Sequence, residues 1–287
     1  MRFLTKEFMS KPLVIYHGKC PDGMTAAWAV RKALGDGDYI PAIHGDAPPD
    51  VAGRDVVIVD FSYRRTVMEA MSLEAKSLLV LDHHKSAQAD LVGLPFAIFD
   101  MKRSGAGMAW DWFHPDQPRP VLVNLVEDVD LWRHVLQGSR EFQLRLEMET
   151  MDFASWERIA GMAEQELAAF IAEGTILKRA FDSEVAALLE GRYAVTLEGE
   201  TGLAVNASSR YSSEVGHHLA DMSGSFGMVW RQLEDGLKIS LRSCGEYDVA
   251  LLAAKFGGGG HRNAASFRLP VNIESYAIVA GKVLVQP

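Results

Sequence analysis

The residues best suited to chemistry sit where apolar runs stop. LVIYH ends in His17, with Asp22 in the loop that follows. DVVIVD ends in Asp60, and SLLVLD ends in Asp82, followed at once by His83 and His84. Carboxylates and imidazoles gathered in one place repel and desolvate one another unless a cation sits among them. A single such residue at a strand end is usually a cap or a solvated loop residue, and that is the plainer reading of Asp60 taken alone. Asp82, His83 and His84 together, directly after a buried run and joined by the other two run ends, point instead to a metal site. Mixed imidazole and carboxylate ligation suits Mn²⁺, Fe²⁺, Co²⁺ or Zn²⁺ better than Ca²⁺.

KFGGGGHRNAASF, residues 255 to 267, is the second suggestive stretch. Four successive glycines cost conformational entropy and pack nothing. They make sense where backbone N–H groups converge on an anion, and His261, Arg262 and Asn263 follow with side chains suited to phosphate and sugar oxygens. A flexible linker has a similar composition. The run lies, however, between a helical pattern (DVALLAAKF) and a strand pattern (AASFRLP), where an anion-binding loop fits better. Plainer readings are preferred elsewhere. Ser104 reads as a helix cap, although that helix N-terminus, with Arg103 nearby, could face a phosphate. His217 and His218 read as surface or packing residues, and Trp110, Trp112 and Trp132 as core.

The elements that must position these groups are legible in the first hundred residues. Short apolar runs at 13–17, 39–43, 55–61, 77–82 and 95–100 are separated by helical stretches such as 64–75, the pattern of βαβ units with a parallel sheet. Ligands of open parallel sheets bind at the carboxyl ends of the strands, which is where the acids and histidines fall. Two further helical patterns, GAGMAWDWF and PVLVNLVEDVDLW, lead to a long Ala-, Glu- and Leu-rich stretch over 155–191. From about residue 192 the texture turns strand-like. The expected organisation is α/β: a parallel-sheet domain over 1–154, a helical connector over 155–191 and a smaller α/β domain over 192–287. The 48% hydrophobic and 23% charged content is that of an ordinary globular protein. No apolar run is long enough for a bilayer, and the first residues do not read as a secretion signal. Two cysteines make no disulfide framework, so the cytoplasm is the expected compartment. A net charge of −9 argues against a duplex-DNA surface and leaves a small anionic substrate open.

These residues also carry a resemblance. LDHHKSA resembles the namesake motif of the DHH phosphoesterases, and FGGGGHRNAASF the glycine-rich motif of their C-terminal DHH-associated domain. YHGKCPDGMTAAW, VVIVDFS and VEDVDLW resemble the family's first, second and fourth motifs, in order, from about residue 13 to 268. The resemblance implies a two-domain phosphoesterase with two metal ions, usually Mn²⁺, that activate water for attack at phosphorus, and substrate in the cleft between domains. The wording is most similar to the branch that hydrolyses short oligonucleotides (nanoRNA). Relatives cleave cyclic dinucleotides, dephosphorylate 3′-phosphoadenosine 5′-phosphate, or hydrolyse polyphosphate. A phosphomonoesterase or polyphosphatase on the same scaffold, and a non-catalytic nucleotide-binding protein, are the competing expectations.

Carried over residue by residue, the resemblance implies that Asp60 bridges both metals. Asp22, His83 and Asp128 would complete one site, with Asp128 preferred over Asp130, and His17 would belong to the other. His84 would face the scissile phosphate, and Asp82 would orient a histidine. Gly258, Gly259, Gly260 and His261 would hold a substrate phosphate, and Arg242 would be a second anion contact. The sequence departs from the family at one point: Asp22 follows His17 by five residues, and Cys20 stands where another aspartate would fall. Cys20 is therefore a candidate thiolate ligand or a packing residue, and the first metal site is expected to be weak.

Overall fold

The computed structural model describes residues 11–281 of the 287-residue chain. The chain divides into two units, one ending at Lys178 and one beginning at Arg179. The first contains β1 (Leu13–His17), α1 (Pro21–Leu34), β2 (Asp38–Ala42), β3 (Asp55–Val59), α2 (Arg65–Glu74), β4 (Ser77–Asp82), α3 (Lys85–Asp90) and β5 (Ala97–Phe99). Helices α4 (Gly105–Phe113), α5 (Val121–Asp130), α6 (Ser139–Leu146), α7 (Phe153–Ala160) and α8 (Glu164–Glu190) follow, and the division falls inside α8.

The five strands form one parallel sheet in the order β2-β1-β3-β4-β5. Side chains alternate between the faces of a strand, so a sheet covered on both sides needs continuous apolar runs. Val14, Val57, Val59, Leu79 and Leu81 pack on one face with residues of α1, α4 and α5. Leu13, Ile15, Val56, Ile58 and Val80 pack on the other with Met68 and Met71 of α2. Each fully buried side chain of this size contributes about 1.5–3 kcal/mol. The chain leaves β1 to one side for β2 and returns on the other side as β3. That reversal opens a crevice at the carboxyl ends of β1 and β3.

The second unit holds β6 (Tyr193–Leu197), β7 (Glu200–Asn206), α9 (Ser212–Ser223), β8 (Phe226–Leu233), β9 (Gly236–Ser243), α10 (Val249–Ala254), β10 (Gly259–His261), β11 (Ala264–Leu269) and α11 (Ile273–Val279). Its mixed sheet runs β10-β11-β9-β8-β7-β6, with β7 and β8 parallel across α9 and the other pairs antiparallel. Phe226, Met228, Ile239, Leu241 and Phe267 are central to its core.

Two expectations need correction. The glycine run is not a loop throughout, because Gly259–His261 pairs with β11 as an edge strand. Trp132 is not core: it is 37% exposed and its φ is +55°, whereas Trp110 is buried. Among the described residues no helix is long and apolar enough to cross a membrane.

Candidate metal centre

The strand ends converge. Asp60 directly follows β3 in the left-handed region, φ +56°, its N–H donating to Leu81 O at 2.9 Å. That conformation costs a non-glycine residue roughly 1–2 kcal/mol, and Asp is among the few that tolerate it. The carboxylate is turned toward three histidines. Its Oδ1 lies 3.1 Å from His83 Nε2 and its Oδ2 lies 3.5 Å from His17 Nδ1. Two donor groups share it: Asp22, Asp60 and His83, and His17, Asp60 and His84. His84 thus stands among the donor atoms of the second group.

Each donor is held by its own scaffold. Asp82, at the end of β4 and fully buried, accepts from His83 N (2.8 Å), His84 N (3.2 Å) and Ser62 Oγ (2.9 Å), and pairs with His84 Nδ1 at 2.7 Å. An ionised carboxylate can only accept, so His84 Nδ1 carries a proton and Nε2 is its remaining ring donor atom. Asp22, in the first turn of α1, accepts from Gly105 N (2.7 Å) and Ala106 N (3.0 Å) at the start of α4. The N-terminus of α4 therefore holds a carboxylate of the protein rather than a phosphate. Ser104 is the cap expected, accepting from Gly107 N at 3.2 Å. A Cβ on Gly105 would stand 2.3 Å from Asp60 Cβ, so only glycine lets α4 approach this closely.

Between Asp128 and Asp130, the geometry favours Asp130. Asp128 accepts from Val135 N (3.0 Å) and Leu136 N (3.2 Å) and secures the loop after α5. Asp130 is the residue brought to the cluster, its Oδ2 lying 3.6 Å from His83 Nε2. The neighbouring Glu127 accepts from Ser104 N (3.1 Å) and pairs with Arg119 (2.9 Å) and Arg133 (3.2 Å), bracing α4. Cys20 precedes α1 and belongs to neither donor group. Burial, followed by the charges of Asp60, Asp130 and Asp22, pushes its thiol well above its ordinary value. His44, in the turn after β2, was missed. Its ring centroid lies 5.9 Å from that of His17 and 6.5 Å from that of His84. The signal was available, since β2 adjoins β1 and its carboxyl end opens on the same edge.

The electrostatics ask for a cation. Asp60 Oδ2 is buried without a hydrogen-bond partner, at a cost of about 1–3 kcal/mol or more for a charged group. Burial and then the charges of Asp60 and Asp130 push the Asp22 carboxyl well above the usual range. Burial alone would raise Asp60 too, but the neighbouring His17 and His83 rings outweigh it and keep it ionised. At His83, burial is outweighed by Asp60, Asp130 and Asp22, which hold it protonated up to about 10. A divalent ion could replace that proton. Three carboxylates with imidazoles make a donor set suited to Mn²⁺, Fe²⁺, Co²⁺ or Zn²⁺, so the residues fit a divalent transition metal.

In the second unit, Arg242 at the end of β9 donates to Leu241 O and Ser213 Oγ, both at 2.9 Å. No carboxylate pairs with it among the described residues, and burial lowers it to about 10. Gly258 and Gly260 are packing glycines, their Cβ positions lying 2.2 Å from Ser266 O and 2.4 Å from Ala264 O. A Cβ on Gly259 would meet nothing within 4 Å. His261 ends β10, and Asn263 donates to Ser243 Oγ and Gly245 O, fixing the turn.

No family model matches the chain. Uncharacterized protein R106 of Acanthamoeba polyphaga mimivirus is 30% identical over 88% of this chain and 66% of its own length. The cyclic-di-AMP phosphodiesterase GdpP of Bacillus subtilis (strain 168) is 24% identical over 75% of this chain and 33% of its own. The cyclic-di-AMP phosphodiesterase PdeA of Listeria monocytogenes serotype 1/2a (strain 10403S) is 26% identical over 81% and 36%. The chain spans about two thirds of the viral protein and about one third of the two bacterial ones.

Proposed function

The chain belongs to the DHH-family phosphoesterases, and from that premise we propose that it hydrolyses phosphodiester bonds of short oligonucleotides with two divalent cations, Mn²⁺ by preference. The observation that carries this reading is Asp60, one carboxylate shared by two donor groups with a buried, unpartnered oxygen. Asp22, Asp60, His83 and Asp130 would hold one ion, and His17, Asp60 and His84 the other. The chemistry such ions supply is neutralisation of phosphate charge and activation of water at neutral pH. The protein's own part is orientation. Asp82 fixes the His84 ring, the α4 amides fix Asp22, and the backbone at residue 60 aims one carboxylate at both groups.

Arg242 would receive a substrate phosphate, because a buried guanidinium without an acidic partner suits an anion. Gly259 and His261 would contribute from β10, the terminal strand of the sheet. Two cysteines, neither in a disulfide, support a reducing cytoplasmic setting. Cyclic dinucleotides form the second reading, favoured by the names of the bacterial relatives. The test is a panel of di- to pentanucleotides, cyclic dinucleotides, 3′-phosphoadenosine 5′-phosphate and polyphosphate with Mn²⁺, resolved by mass spectrometry. Nucleoside monophosphates released from linear di- to pentanucleotides, and lost in Asp60→Ala, are the expected result. Inorganic phosphate as the sole product would move the protein to the monoesterase class. No turnover of any substrate would leave a binding protein.

A further inference from the structure

The second unit contains its own set of metal-ligating side chains. His217 and Asp221 lie four residues apart on α9 and so share a face. Cys244 directly follows β9. Glycines bring the helix down to this strand end. A Cβ on Gly227 would stand 2.0 Å from Gly216 O, and one on Gly216 would stand 2.7 Å from Arg242 Cγ. The result is that Cys244 Sγ lies 3.5 Å from His217 Nδ1 and Asp221 Oδ2 lies 3.6 Å from His217 Nε2. One donor atom from each of the three residues falls within 4.8 Å of the others. The two contacts run to different ring nitrogens, and one ion takes one of them: sulfur and Nδ1 bound to one tetrahedral Zn²⁺, at about 2.3 and 2.05 Å, are about 3.5 Å apart, the separation found for Cys244.

We propose that His217, Asp221 and Cys244 form a binding site for a thiophilic divalent cation, Zn²⁺ foremost, independent of the centre around Asp60. A thiolate, an imidazole and a carboxylate are three ligands of the borderline-soft kind that zinc takes, and solvent would supply the fourth. Asp221 is 58% exposed at its side chain, which leaves the ion a way in. Bound there, the ion would tie α9 to the end of β9, the strand end that carries Arg242. Burial, with Asp221 adding, holds the Cys244 thiol up to about 11, so uptake near neutral pH releases its proton.

Co²⁺ added to chelator-stripped full-length protein is the probe, because a thiolate ligand gives a sulfur-to-cobalt charge-transfer band in the near ultraviolet. The chain has one other cysteine, so the decisive comparison is between Cys20→Ser and Cys244→Ser. The band is expected to persist in Cys20→Ser, vanish in Cys244→Ser, and need about a hundredfold more Co²⁺ in His217→Ala, ligand loss being at least as severe as loss of a supporting group. Zn²⁺ is expected to bleach it stoichiometrically, releasing no further proton, and to protect Cys244 from alkylation. Loss of the band in Cys20→Ser with retention in Cys244→Ser, or no band in the wild type, would overturn the proposal. Asp60→Ala should leave the band intact, so failure of the hydrolytic reading and failure of this one are separate results.

Discussion

At the scale of single residues, Asp128 and Asp130 make the sharpest test. Asp130→Ala should remove the ion held with His83, read as metal content after dialysis, with activity falling by two orders of magnitude or more. Asp128→Ala should keep its metal and lose stability instead, by about 1–3 kcal/mol, because two N–H groups lose their acceptor. Equal metal loss in both would return Asp128 to the site. Asp130 also sets a pH dependence. Burial, opposed by His83 and reinforced by Asp60, raises its carboxyl from 3.8 to about 6 in the metal-free protein. A carboxyl raised on folding contributes stability that is full below its unfolded value and lost as pH climbs through its folded value. Asp130→Asn, which cannot ionise, should therefore melt higher than wild type in chelator, by a margin that grows from pH 4 to about 7. Mn²⁺ should close the gap, and a margin that ignores pH would refute the assignment. Sequence could not separate the two aspartates. Residues two apart on a helix face nearly opposite ways, and which one meets β4 depends on how α5 is rotated against the sheet.

At the scale of elements, apolar runs announced β1, β3 and β4 because strands buried on both faces admit little else. The edge strand β10 could not be announced that way. Glycine has no strand propensity, and Gly259–His261 is a strand only because β11 is there to pair with. The same pairing sorts the glycines by role. Gly258→Ala should cost about 1–3 kcal/mol through overpacking against Ser266 and Phe267. Gly259→Ala should fold normally yet weaken substrate binding if this edge receives a phosphate. Thermal melts and KM values read the two effects, and an unchanged KM in Gly259→Ala would remove the edge from the site. Gly105 matters more to chemistry. Adding its Cβ must push α4 away from Asp60 and pull its amides from Asp22, so Gly105→Ala should lose metal affinity although it touches no ion.

At the scale of the molecule, a net charge of −9 bears on the proposed short-substrate reading. A protein that tracks a polyanion releases a counterion for each phosphate it neutralises, and affinity falls steeply with salt. Here KM for a di- or trinucleotide should follow salt with a log–log slope of only about 1 or 2, reflecting the few phosphates a small ligand offers. A steep slope, or equal cleavage per end of long strands, would contradict the short-substrate reading. The left-handed backbone at residue 60 also limits how the chain can evolve. Its φ of +56° admits glycine, asparagine and aspartate with little penalty, whereas a charged oxygen ligand requires aspartate or glutamate. Those two alphabets share one letter. The usual conservative exchange, Asp60→Glu, is thus closed by geometry rather than by charge.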